Sequence, residues 1–173
     1  MSGMSITEMR KLRINFSDSY LLTGQMALMR SEDIDNYRSA YAIMNSACRV
    51  GVEKGTTGDL LVRRNFTKAR SRVYRSKEQA VKALLRKKID VFIHDAPVII
   101  TMAAENESRG LVFINQYFTE EHLAWGIRKD DVQLLALVNG VLKNWKDSKE
   151  LDEKIFEWIP YFKVFTKQGY KLY

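Results

Sequence analysis

The chain has 173 residues, with 28 Lys and Arg against 21 Asp and Glu, a formal charge of +7 and a pI near 9.5. Hydrophobic residues make up 46% and charged residues 28%, a balance that excludes a disordered or collagen-like protein and suits one domain-sized core without a disulfide or metal staple. The longest apolar uncharged run, Val132 to Leu142, falls short of the roughly 18–20 residues that cross a bilayer, and the first residues lack the charged-then-apolar pattern of a secretory leader, so none is expected in them.

In chain order, Cys48–Glu53 reads as a short apolar strand that ends at Lys54-Gly55. Thr57 is expected to cap a helix running to about Asn65, with Asp59 in its first turn where the helix dipole favours negative charge. Arg72–Tyr74 is a second strand. Ser76 with Gln79 forms a capping box ahead of a helix whose buried stripe is Val81, Leu84 and Leu85. Ile89–His94 is a buried strand, and a helix from about Ala96 to Glu105 follows, with Pro97 in its first turn. Leu111–Ile114 and Leu123–Arg128 read as strands. Asp130 or Asp131 caps a helix carrying Leu134, Leu135, Val138, Val141, Leu142 and Trp145. Ser148 caps a last helix that Pro160 stops. The alternation predicts an α/β chain with a largely parallel sheet.

The charge is concentrated. Arg63 to Lys88 holds eleven Lys or Arg and one acid, Glu78. Only Phe66 and Tyr74 stand among these cations to stack on bases, and no nucleic-acid-binding motif occurs, so a solvated polar face is the better reading and no nucleic acid is expected.

The catalytic inventory is thin. His94 and His122 lie far apart, and no pair of ligands has metal-binding spacing, so neither a metal nor a cofactor is expected. The single cysteine, Cys48, sits in an apolar stretch and reads as a small core residue. Two features do carry chemistry. Gly55-Thr56-Thr57-Gly58 joins a strand to a helix, where backbone N–H groups and hydroxyls suit an anion; an ordinary capped helix accounts for the same residues. His94-Asp95-Ala96-Pro97 ends another strand, and Asp95 there suits an ammonium group or a helix cap. An anion site and a cation site on adjacent strand ends match a zwitterionic α-amino acid.

Four stretches carry a family resemblance. They are Ser2–Arg10 with Phe16–Gln25 (SGMSITEMR and FSDSYLLTGQ), Val50–Leu60 (VGVEKGTTGDL), Ile89–Pro97 (IDVFIHDAP), and Phe118–Asp130 with Leu134–Trp158. In order and spacing they resemble the bacterial extracellular solute-binding proteins of family 3, the polar amino acid ABC transporter type. The resemblance implies a periplasmic-binding-protein-like type II fold, a clamshell of two α/β lobes closing on a free amino acid and docking on a membrane permease in the periplasm. It implies that Arg10 pairs with the ligand α-carboxylate with Ser5 beside it. The turn of Gly55, Thr56 and Thr57 would bind the same carboxylate, and Asp95 would take the α-ammonium. An arginine fork suits a carboxylate. By the same resemblance Glu53 and His94 line the side-chain pocket, which would favour a basic or amide-bearing ligand; Glu53 as a solvent-facing strand end is an equal reading.

The matching stretches begin partway along the family pattern. They imply one complete lobe plus part of a first lobe: residues 1–30 as the end of lobe one and a crossing strand, 31–121 as lobe two, and 122–173 as the second crossing strand with helices returning to lobe one. Whether the chain is a fragment or a shorter product stays open. The apolar stripes of the last helices, with Trp145 and Trp158, are expected to be exposed or to find another chain, which predicts a homodimer or a strand-swapped assembly. The fold also hosts dehydratases of the cyclohexadienyl and arogenate type and sensor or regulatory ligand-binding modules, which stand as alternatives to a transport component.

Overall fold

The structure is a computed structural model, described over residues 3–167 and 171–173. Ser2, at the start of the first matching stretch, and Gln168 to Tyr170 lie outside the described residues. The strands are β1 (Met4–Ser5), β2 (Ile14–Phe16), β3 (Leu21–Thr23), β4 (Gln25–Arg30), β5 (Arg49–Glu53), β6 (Arg70–Tyr74), β7 (Val91–Asp95), β8 (Leu111–Phe113), β9 (Glu121–Ala124) and β10 (Gly126–Arg128). The helices are α1 (Glu8–Lys11), α2 (Ala40–Met44), α3 (Thr57–Asn65), α4 (Lys77–Leu85), α5 (Ala96–Glu105), α6 (Val132–Asp147), α7 (Glu150–Trp158) and α8 (Phe162–Lys167).

The described chain forms two compact units, one of Gly24–Glu120 and one combining the residues up to Thr23 with those from Glu121 onward. The strand Gln25–Arg30, which the sequence division assigned to the first segment, belongs to the Gly24–Glu120 unit.

That unit is built on a five-stranded sheet of order β6-β5-β7-β4-β8. β6, β5 and β7 are parallel, as the strand–helix alternation requires, with α3 and α4 in the two crossovers. The expectation of a largely parallel sheet needs correction, because β4 pairs antiparallel with both β7 and β8. β4 enters from outside the strand–helix alternation, and its direction has a consequence for the site. The carboxyl ends of β5 and β7 and the amino end of β4 share one sheet edge, with Gln25 opposite Asp95 and Val52 opposite Ile93.

The apolar runs explain the burial. Every residue of β4 is buried, and Val91 to Ile93 are fully inaccessible, the mark of strands covered on both faces. Gly51 leaves no room for a side chain, since a Cβ there would lie 2.4 Å from Ile89 Cδ1. Cys48 lies in the same core, and burial pushes its thiol up from the ordinary value, as suits a packing residue rather than a nucleophile. The edge strand β6 is exposed from Arg70 to Val73. Arg64, Lys68, Arg70, Arg72 and Arg75 flank it on the surface, so the basic segment is a solvent-facing face.

In the other unit β9 pairs antiparallel with β1 and β3, and β10 with β2. The single strand expected over Leu123–Arg128 is thus two strands in different sheets, parted at Trp125. Asp131 rather than Asp130 caps α6, accepting from Leu134 N at 3.0 Å. Ser148 does not occupy the cap of α7; that position is Lys149, in a left-handed conformation with φ of 63°. Trp145 is half-buried against Trp125 and under the Lys154 ammonium, whereas Trp158 is 81% exposed, as are Val132, Leu134 and Leu137 in good part on α6. Pro160 ends α7, but α8 follows it.

Asp90 ties β5 to the strand entry of β7. Its carboxylate accepts from Arg49 N at 2.8 Å and Nε at 2.9 Å and pairs with Nη2, while Asp90 N donates to Arg49 O at 2.8 Å. The hydrogen-bonded guanidinium holds the Asp90 carboxyl below the ordinary carboxylate range, against the opposing effect of burial. A carboxyl depressed in the folded state contributes stability above its unfolded value and loses it as pH falls through the folded value. Asp90→Asn is therefore expected to cost about 2 kcal/mol near neutrality and to flatten the loss of melting temperature below about pH 5, as thermal melts across pH would read.

Candidate functional site

The shared sheet edge gathers the chemistry of the Gly24–Glu120 unit. β5 ends in Glu53, and the chain turns through Gly55, whose φ of +77° is readily adopted by glycine, into α3. Thr56, not Thr57, is the N-cap: its Oγ1 accepts from Asp59 N at 3.2 Å and donates to Glu53 O at 2.8 Å. The sequence reading put the cap at Thr57; the backbone geometry selects Thr56, because it is the last extended residue. The hydroxyl hydrogen of Thr56 is thus used within the turn. Gly55 N donates to Asp59 Oδ2 at 3.2 Å, and the buried Asp59 is neutralised by Arg63 Nε at 2.7 Å. Part of the donor capacity expected for an anion is spent on the protein's own carboxylate.

Thr57 points elsewhere. Its Oγ1 accepts from Gln25 Nε2 at 2.9 Å, and the same Nε2 donates to Asp95 Oδ1. Asp95 stands at the N-cap position of α5 but makes no side-chain cap bond, so its cap role is positional only. One fully buried amide therefore joins the turn after β5 to the end of β7. Gly58 completes the packing, because a Cβ there would lie 2.6 Å from Gln25 Oε1 and 3.2 Å from Ile93 O.

Glu53 and His94 meet at the same edge. His94 Nδ1 accepts the Asp95 backbone N–H at 2.7 Å, so the ring proton is on Nε2, which donates to Glu53 Oε2 at 3.2 Å. Asp95 Oδ2 is 3.9 Å from Nδ1, too far to compete. Nε2 thus carries the hydrogen that Glu53 accepts, and the Glu53 side chain keeps 27% of its surface exposed. Among the described residues no group of three metal-binding side chains lies close enough to hold an ion.

Ser5 and Arg10 belong to the other unit. Ser5 is buried, and its Oγ donates to Glu121 Oε2 at 2.5 Å. Arg10 Nη1 donates to Ser5 O at 2.9 Å, which orients the guanidinium while using one of its five donors. Thr7 caps α1 by accepting from Arg10 N at 3.2 Å.

The fold is that of the periplasmic-binding-protein-like structures to which the chain is similar. The chain belongs to the bacterial extracellular solute-binding proteins, family 3, whose pattern it matches over residues 1–161. It is 30% identical over 172 residues to a probable histidine-binding protein of Neisseria gonorrhoeae, covering 98% of this chain and 61% of that relative's length. An ancestral amino acid-binding protein, a precursor of cyclohexadienyl dehydratase, shares 31% identity with a TM-score of 0.79, over 92% of this chain and 67% of its own. A putative binding component of an ABC transporter from Wolinella succinogenes, complexed with lysine, shares 28% identity with a TM-score of 0.84, over 91% of this chain and 68% of its own.

Gln25 was not among the residues marked from the sequence, Gly58 was read only as the end of the glycine-threonine turn, and Asp59 only as an acid in the first turn of the helix. Gln25 ends the matching stretch FSDSYLLTGQ, but nothing local distinguishes it from any strand-end glutamine. Gly58 offers a direct check. Gly→Ala within a helix ordinarily stabilises, by roughly 0.5–1 kcal/mol. Here Gly58→Ala is expected to destabilise by about 2 kcal/mol through overpacking against Gln25, measured by urea unfolding.

Proposed function

We propose that the chain is a substrate-binding component of an amino acid ABC transporter, acting in the periplasm with a membrane permease as partner. The observation that carries the reading is the pairing of Thr57 and Asp95 on one buried amide. A hydroxyl and a carboxylate set side by side at the strand ends suit the α-carboxylate and α-ammonium of an amino acid. Thr57 and the N-terminal turn of α3 are read as partners of the carboxylate and Asp95 as partner of the ammonium. Arg10 and Ser5 keep the carboxylate role that the family resemblance gives them.

The side chain preferred is cationic or amide-bearing. Glu53 and Asp95 put two carboxylate side chains at this edge, with the His94 ring donating to the first, which suits a cationic or donor-rich ligand side chain. Relatives named for histidine and complexed with lysine fit the same preference.

A dehydratase reading asks for a carboxylic acid poised to give up a proton. Glu53 and Asp95 instead both accept hydrogen bonds, from His94 Nε2 and from Gln25, so both are engaged as acceptors, which supports binding over catalysis.

A thermal-shift screen with L-lysine, L-arginine, L-histidine, L-glutamine and L-glutamate tests the proposal. At a hundredfold excess over Kd the binder is expected to gain about 2.7 kcal/mol, which raises the melting temperature. Asp95→Asn and Arg10→Ala should remove the shift. Glu53→Gln should weaken lysine and arginine about tenfold while leaving glutamine nearly unchanged. A preference for glutamate, or turnover of prephenate or arogenate without any shift, contradicts the reading.

A further inference from the structure

We infer that the outer edge of β6 is an interaction surface for an extended acidic segment of another protein, which adds to the five-stranded sheet as a further strand. The surface lies within the Gly24–Glu120 unit and stands independently of the amino acid site proposed above.

β6 ends the order β6-β5-β7-β4-β8, and among the described strands it pairs only with β5, so one of its edges has no neighbour. The register fixes which groups that edge presents. Arg70 N donates to Cys48 O at 2.9 Å, and Tyr74 O accepts from Lys54 N at 2.9 Å, so the backbone groups of Arg70, Arg72 and Tyr74 face β5. The N–H and C=O groups of Ser71 and Val73 therefore face outward. Both residues are exposed. At the other end of the sheet β8 is three residues long and begins with the buried Leu111. β6, with five residues, is the end that offers a row of backbone donors and acceptors to an incoming chain.

The side chains decide what can use that row. Arg64, Lys68, Arg70, Arg72 and Arg75 are exposed on β6 and beside its two ends, and among the described residues none makes a side-chain hydrogen bond or ion pair. Arg63 and Lys87 differ, being paired with Asp59 and Glu32. Arg70 and Arg72 stand on one face of the strand, about 6.6 Å apart. An added strand has the same repeat, so acidic side chains at its alternate positions come alongside both. The same cations exclude a second copy of this edge, where like charges would face one another. A bilayer surface would leave the backbone row unused. A nucleic acid would find only Tyr74 to stack on, since Phe66 is buried in the core. A carboxylate-bearing strand uses everything the edge offers: main-chain bonds to Ser71 and Val73, and guanidinium forks for its side chains.

Calorimetric titration of the full chain with a capped octapeptide of alternating threonine and glutamate tests this. Saturable binding is expected, and none with the threonine–lysine counterpart. Arg70→Ser combined with Arg72→Ser should weaken the acidic peptide about tenfold, with the folded state verified by its thermal melt. Arg38→Ser combined with Lys143→Ser removes the same charge elsewhere and should leave Kd within about twofold. Alternate residues of a strand turn their N–H groups to the same side, so N-methylation of the threonine amides and of the glutamate amides should act unequally, one set abolishing binding and the other sparing it. Charge attraction alone would not give that difference. If the acidic peptide does not bind, if the two methylated peptides behave alike, or if the two double variants weaken binding equally, the strand-addition surface is overturned. Binding of phosphatidylglycerol vesicles or single-stranded DNA without binding of the peptide overturns it as well. None of these results bears on the amino acid site, which is read by its own titrations.

Discussion

The Gln25 amide spans the gap between two strand ends that the parallel sheet leaves side by side. Parallel pairing of β5 and β7 brings Glu53 and His94 to one edge, and the crossover helix α3 begins there. Neither strand can reach across to lock the turn against Asp95. The antiparallel β4 can, because its first residue enters the sheet at the edge where the others leave it. Burial then makes the bond directional, since an inaccessible amide facing a carboxylate has one tolerable orientation. Gly58, Thr57 and Asp95 each have their place fixed by that choice.

The same economy of donors recurs in the turn after β5. Thr56, Gly55 and Asp59 satisfy one another, and Arg63 balances the buried Asp59. These bonds fix the turn onto the first residues of α3, while the Thr57 hydroxyl is engaged by Gln25. His94 plays a comparable part for Glu53. By accepting the Asp95 backbone N–H it is held as the tautomer that can donate to Glu53, so one ring ties the Asp95 backbone to the Glu53 carboxylate. In the other unit Ser5 serves Arg10 through its carbonyl rather than its hydroxyl.

Much of this was legible in the sequence. The apolar runs at Val50–Val52 and Val91–Ile93 and the cap at Ser76 gave central elements, since local pattern determines them, and the cap of α6 was narrowed to Asp130 or Asp131. Thr57 and Asp95 stood out because strand ends in α/β sheets collect ligands. What escaped was non-local. Gln25 is 70 residues from Asp95, and only the antiparallel direction of β4 makes them neighbours. The choice of Thr56 over Thr57 as cap turns on one residue's dihedral angles, which two adjacent threonines conceal. The break at Trp125 divides what reads as one strand, because the two halves pair with different partners.

Recognition of a zwitterion is the central claim. It is tested most directly by comparing L-lysine and L-histidine with cadaverine and histamine, the amines left when the carboxylate is removed, in calorimetric titrations of the chain. The account predicts saturable binding of at least one of the amino acids and no measurable binding of the matching amine. Equal binding of the amine and its parent amino acid would contradict it.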